Sequence, residues 1–203
     1  MKNSFIPIRL KGNSCTLEPL SFDHHDDLVQ AVVDEALSNL WYTFVPDPHK
    51  MKDNISMRLN MQKEGSMIPF ACINNQLNKA VGMTSYLNID KENRRVEIGG
   101  TWYSKNMQRT GFNTECKFLL LTHAFELMDC IAVEFRTHAF NHQSRRGIER
   151  LGAKLDGVLR NHMIMPNGTL RDTYVYSIIS SEWPTVKAHL KFLKNKEYTN
   201  LDC

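Results

Sequence analysis

Between residues 94 and 140 the chain runs strand, polar loop, long helix, strand, and no other stretch limits the fold as much. "RRVEIGGTWYS" (94–104) is rich in β-branched and aromatic residues and reads as a strand. "NTECKFLLLTHAFELMDC" (113–130) puts Phe118, Leu121, Phe125 and Met128 on one side of a helix, with Leu120, Ala124 and Leu127 beside them. "IAVEFRTHAF" (131–140) is the next strand. A helix of this length can return the chain so that the two strands lie parallel in one sheet, joined by a right-handed crossover.

The flanking segments fill in the sheet and its cover. "SCTLEPL" (14–20) is a short strand ending at Pro19, and 21–41 is a helix with Ser21 or Asp23 as its cap and Leu28, Val32, Ala36 and Leu40 near helical spacing. Pro46 and Pro48 stop that helix, and 49–64 is a second one, with Ile55, Leu59 and Met61 as inward positions and Gly65 at its end. "MIPFACIN" (67–74) and "KAVGMTSYLNID" (79–90) join 94–104 as an antiparallel meander with Asn- and Asp-rich joints. After 131–140 come a short helix ending at Gly152, a hairpin around Pro166-Asn167-Gly168, and a basic C-terminal helix over about 182–196. The order β–α–α–β–β–β–α–β–α–β–β–α, without repeat or linker, predicts a mixed α/β (α+β) fold in a single domain over 1–203, with its core at about 14–181.

At 203 residues the length suits one domain, and the 42% apolar share is enough for a core. A net charge of +3 excludes a dedicated nucleic-acid binder and slightly favours anionic ligands. Five cysteines without paired spacing argue against a disulfide framework and a zinc site, with Cys116 and Cys130 expected in the core. The adjacent side chains of "HHDD" (24–27) point different ways on a helix and do not make a metal site. With neither a signal-peptide core nor an apolar run of membrane-spanning length, the expectation is a cytoplasmic protein without metal, membrane or nucleic-acid partner.

The loop "QRTGFN" (108–113) opens directly onto the long helix. A helix start carries unpaired N–H groups and the positive end of the macrodipole, and a loop that turns further N–H groups toward one point makes a nest for a phosphate or pyrophosphate. Gly111 would let the backbone approach such a ligand, with Gln108, Arg109, Thr110 and Asn113 as added donors. The plainer reading is an exposed strand-to-helix turn, with Arg109 solvated and Asn113 or Thr114 as cap. The sequence lacks the Gly-Lys-Ser/Thr ending of a P-loop and two of the three glycines of a dinucleotide fingerprint.

That loop, Gln-x-x-Gly-x-Asn, resembles the pyrophosphate loop of GNAT-type N-acetyltransferases, with Asn113 where Gly or Ala is usual. "CTLEPLSFDHHDDL", "EIGGTWY", "NTECKFLLLTHAFE", "VEFRTHAFNHQSRRGIERLGA", "GVLRNHMIMPNGTLRDTYVYSI" and "SEWPTVKAHL" extend the resemblance over about residues 14–190 to the RimJ/RimL branch, which includes acetyltransferases of ribosomal-protein N-termini. The resemblance implies a GNAT-like sheet whose fourth and fifth predicted strands, 94–104 and 131–140, are parallel and splayed. It implies acetyl-CoA as co-substrate, its phosphates on main-chain N–H groups of 109–114 (Arg109, Thr110, Gly111, Phe112, Asn113, Thr114) beside Gln108. Its pantetheine arm would lie along 99–103, including Thr101 and Trp102, and on Asn141.

Acetyl transfer to an amine needs an anchored coenzyme, a proton acceptor, an oxyanion donor and a proton for the leaving thiolate. Glu97 lies 14 residues before Gly111, an offset shared with the glutamate base of histone-acetylating relatives; alternation places it on one face with Gly99 and Thr101. Its other reading is a rim carboxylate paired with Arg94 or Arg95. Gly99 and Gly100 weaken a strand and mark a bulge or a close ligand approach. The glutamate base assigned to RimL-type relatives falls at Met163 here, which leaves His162 or His138 as stand-ins through water or as ordinary sheet histidines. The usual tyrosine acid falls at Ile148, so the resemblance shifts that role to Ser144, with Asn141 before it; both also fit a helix cap and first turn. "SRRGIER" (144–150) is a basic face for the adenosine 3′-phosphate or for solvent. Trp41, Tyr42 and Phe44 either wall the acceptor site or pack on the sheet, and Asp172 is an acid for a cationic amine. The acceptor is a small-molecule amine or a protein N-terminus, and monomer and homodimer both remain open. The alternative function is a non-catalytic CoA-binding or regulatory module of the same fold, because both the tyrosine and the second glutamate are missing.

Overall fold

The computed structural model describes residues 5–33, 41–43 and 45–199; Ala36, Leu40 and Phe44 of the sequence reading lie outside these. In chain order the elements are β1 (Leu10–Lys11), β2 (Cys15–Pro19), α1 (His25–Val33), α2 (Met51–Lys63), β3 (Met67–Asn74), β4 (Lys79–Asp90), β5 (Arg95–Tyr103), α3 (Phe112–Thr122), β6 (Ala132–His138), α4 (His142–Arg150), β7 (Lys154–Ile164), β8 (Leu170–Ile179) and α5 (Trp183–Thr199). The strands form one sheet in the order β1-β2-β3-β4-β5-β6-β8-β7. β5 and β6 are the parallel pair and the other neighbours are antiparallel, as the order of elements predicts. The two-residue β1 was not foreseen; it makes the predicted fourth and fifth strands β5 and β6.

Period-two alternation gives each strand two apolar faces, and helices cover both. On one face Val96, Ile98, Val133, Phe135 and Ile178 pack against Cys116, Leu120, Leu121 and Ala124 of α3 and its continuation. On the other, Ala71, Met83 and Trp102 pack against Leu28 and Val32 of α1 and Met51 and Ile55 of α2. The predicted 113–130 helix is α-helical to Thr122 and then widens into a π turn over His123–Leu127. α5 packs on its own fold, with Trp183 stacked on Phe125 at 5.1 Å and Leu190 buried.

β5 is irregular in two ways. Ser85 faces Gly99 and Met83 faces Trp102, so two steps of β4 oppose three of β5. The extra residue, Gly100, sits at φ +57°, a left-handed conformation that glycine adopts at little cost. The parallel ladder with β6 is also short. It pairs Arg95, Val96 and Glu97 with Ala132, Val133 and Glu134, and β5 then runs on to Tyr103 and β6 to His138 without partnering each other.

Candidate active site

Glu97 stands at the last shared rung, where the two strands part. It is 7% exposed; Asn88 Nδ2 donates to its Oε2 at 2.7 Å and Arg136 Nε lies 3.5 Å from the same oxygen. Arg94 and Arg95 are not its partners, because they pair with Asp129 and Glu134. Burial raises the Glu97 pKa above the usual carboxylate value, against the opposing pull of Arg136 and Asn88. The bulge also corrects the alternation: Glu97 lies against Gly99, whereas Thr101 faces the α3 side, bonded to Lys117 Nζ at 2.7 Å. One extra residue at Gly100 inverts the parity, so Glu97 and Thr101 occupy opposite faces. Trp102 falls on the face of Glu97, packed among the α1 and α2 residues.

Beyond Tyr103 a 3₁₀ turn, Lys105–Met107, leads into the polar loop. Gln108 Nε2 donates to the Tyr103 carbonyl at 3.2 Å, tying the loop to the strand end. The left-handed residue of the loop is Arg109, at φ +59°, while Gly111 has an ordinary helical φ of −63° and is the N-cap of α3. Backbone conformation therefore does not require glycine at 111. Thr110 Oγ1 donates to the Met107 carbonyl and accepts from the Phe112 amide, and no side chain of the loop caps the next turn. As in any helix start, the amides at the mouth, including Asn113 and Thr114, have no intrahelical acceptor. Thr114 is buried, and Arg150 Nη2 of α4 donates to its hydroxyl at 2.9 Å, which brings a cation to that mouth. Of the other basic residues on that helix, Arg145 instead lies 3.9 Å above the Tyr174 ring.

At the start of α4 the Asn141 side chain accepts from the Ser144 amide at 3.0 Å, so Asn141 is a helix cap and Ser144 sits in the first turn. Ile148, in place of a tyrosine, is core. Trp41 meets His138 edge-on at 5.1 Å, with Tyr42 at 6.2 Å and Phe140 at 5.7 Å from the same ring. These aromatic rings lie at the end of β6. His162 bonds Thr173 Oγ1 at 3.1 Å across the hairpin, where Met163 is exposed. On the hairpin, the Asn161 amide and then Arg160 hold Asp172 and keep its pKa low; its charge is already engaged.

Sequence reasoning missed three buried cations, one of them Arg171 on β8, whose Nε donates to Thr173 Oγ1 at 2.9 Å. Arg58 on α2 lies under the Gly99–Gly100 bulge and donates to Ser85 Oγ at 2.9 Å. Lys117 on α3 donates to Thr101 and Thr84, and burial lowers its pKa to about 8. At helical spacing Arg58 falls in line with Met51 and Ile55, an inward position that was the available signal.

Comparison with known proteins fits this geometry. A family profile described as Acetyltransferase (GNAT) domain matches residues 15–154. YdaF of Bacillus subtilis (strain 168), whose name assigns it provisionally to ribosomal N-acetylation, is 34% identical over 102 residues; the match spans 50% of this chain and 55% of that protein. The uncharacterized N-acetyltransferase p20 of Bacillus licheniformis is 26% identical over 83% of this chain and 94% of its own. The crystal structure of a GCN5-related N-acetyltransferase from Brucella melitensis superposes with a TM-score of 0.84 at 28% identity, covering 93% of this chain and 86% of that one.

Proposed function

The chain belongs to the GNAT acetyltransferase family, and from that premise we propose that it transfers the acetyl group of acetyl-CoA to a primary amine by direct attack in a ternary complex. The parting of β5 from β6 beside the mouth of α3 carries the reading, because a thioester arm needs both an anion anchor and a gap. The residues present fit that substrate. Free amides at the start of α3, with Arg109 and Arg150 nearby, suit a diphosphate. The edge of β5 beyond Glu97 offers main-chain groups to a strand-like arm.

The acceptor amine loses its proton to Glu97, directly or through one water, as its nitrogen bonds to the thioester carbon. A main-chain N–H of β5 within 99–103 holds the developing oxyanion. The carbon–sulfur bond then breaks, the Ser144 hydroxyl supplies the thiolate's proton and regains one from solvent, and Glu97 releases the amine's proton to solvent. Trp41 and Tyr42 with His138 wall the acceptor. A small amine and a protein N-terminus both fit this chemistry, and the name of YdaF favours the latter.

The test is calorimetry with acetyl-CoA on the wild type and Gly111→Asp. At φ −63° the backbone at 111 accepts aspartate, which suits a helix start, so the fold should persist. Its charge should weaken acetyl-CoA binding about tenfold or more. Undiminished affinity would remove the anion nest from the mechanism. Release of free thiol with an amine panel separates turnover from a CoA-binding module without it.

A further inference from the structure

The face of the sheet that carries Glu97 holds a surplus of buried hydrogen-bond donors. Arg58 is 5% exposed. Its Nε donates to Asn54 Oδ1 at 2.9 Å, its Nη1 to Ser85 Oγ at 2.9 Å and its Nη2, at 3.4 Å, to the Gly100 carbonyl. A guanidinium has five N–H groups. These three acceptors are all neutral, and among the described residues no carboxylate lies within ion-pair distance. A cation buried without a counter-charge is strongly disfavoured unless something supplies one. Trp102 Nε1 is also buried without a hydrogen-bond partner among the described residues. So is His138 Nε2. The Phe140 amide donates to His138 Nδ1, which places the proton of the neutral ring on Nε2. Trp102 and His138 stand on β5 and β6 beyond the last shared rung.

Glu97 is the counterpart to these donors. Its Oε1 would meet a Cβ on Gly99 at 2.8 Å, while Arg58 Nη1 would meet one on Gly100 at 3.1 Å. Both glycines thus leave room for a charged group, of opposite sign at successive residues. Adjacent Cα atoms lie about 3.8 Å apart, so the two charges are within about 13 Å of each other. Around Glu97, the charge of Glu134 is offset by Arg136, which pairs with both carboxylates, and by Arg171.

We propose that this face recognises an acceptor carrying a carboxylate alongside its amine, with Arg58 anchoring the carboxylate and Glu97 facing the amine. The inference rests on the acetyl-transfer reading and narrows it. The carboxylate can belong to a free amino acid or to an acidic side chain at a peptide N-terminus.

Thiol release from acetyl-CoA tests this with three matched acceptor sets on the full chain: free amino acids, their C-terminal amides, and the peptide amides Asp-Ala-Ala and Ala-Ala-Ala. Acceptors with a carboxylate should exceed their uncharged partners about tenfold or more in kcat/KM, with the difference in KM; the free amino acids and the Asp peptide show which source is used. Arg58→Gln should bring carboxylate acceptors down to the level of the amides, and Arg58→Lys should restore part of the preference. Trp102→Phe, which keeps the ring and removes the N–H, carries the same test should Arg58→Gln fail to fold, and should reduce the preference. Equal rates for acids and amides would overturn the proposal, as would a preference that survives in Arg58→Gln. A uniform loss of kcat for every acceptor would also overturn it, by assigning Arg58 to the reaction centre. A second readout needs no turnover: N-acetyl amino acids titrated into CoA-saturated protein should bind and their amides should not. If acetyl-CoA binds but no acceptor releases thiol, the transfer reading fails while this titration still decides the anchor; binding of neither titrant refutes it.

Discussion

At the scale of single residues, the candidate site holds a carboxylate in a setting that resists its charge. Glu97 is raised above the ordinary carboxylate pKa by burial, with Arg136 and Asn88 opposing. As the proposed base it would work when ionised, so its contribution should fall away as pH drops through that raised pKa. The free amine is lost over the same acidic range, so wild-type kcat/KM should fall with a log–log slope of two below the Glu97 pKa. Glu97→Gln should fall with a slope of one and be slower at pH 7 by about 10²–10⁴. A variant that keeps both the rate and the steeper slope would remove Glu97 from the proton path. Spacing to Gly111 singled out Glu97, and the structure buries it at the last rung of β5 and β6, but its partner was not legible. Arg136 is remote in sequence and meets Glu97 only because β5 and β6 share a rung, whereas Arg94 and Arg95, close in sequence, are engaged elsewhere.

At the scale of elements, β5 does most to shape the site. The diglycine signalled a bulge or a close approach in the sequence, and the bulge is there. Its effect on parity was not readable, since alternation counts residues and cannot tell which one drops out of register. The sequence therefore put Thr101 on the face of Glu97, and the structure puts it on the other. Gly100→Ala should cost about 1–2 kcal/mol in denaturant unfolding, for a side chain at left-handed φ; its Cβ would also press on Arg58 at 3.1 Å. A midpoint equal to wild type would mean that β5 relaxes its bulge. Elements with a strong local signal were legible: α3, the Pro-Asn-Gly hairpin and the Asn141 cap. β1 escaped notice because two residues carry no period.

At the scale of the whole molecule, the α3 face stabilises the fold despite a buried amine. Lys117 has its pKa lowered to about 8 from 10.5. The unfolded chain binds more protons between those values, so this group makes stability rise with pH across that window, by up to about 3 kcal/mol. Buried thiols such as Cys72, raised by burial, act in the opposite sense, so the useful quantity is a difference between proteins. Lys117→Met leaves Thr84 and Thr101 bonded to each other at 2.7 Å. It should be more stable than wild type at pH 7, with an advantage that shrinks toward pH 10.5; thermal unfolding at both pH values checks this, and a constant difference would place the Lys117 charge in water. The family resemblance and order of elements were legible over most of the chain because many motifs agree, while the buried cations depend on which helix covers which face. With three rungs joining β1–β5 to β6, β8 and β7, the sheet is two leaves hinged near one end. Under the proposed reading, a thioester arm between the leaves would brace them as well as react.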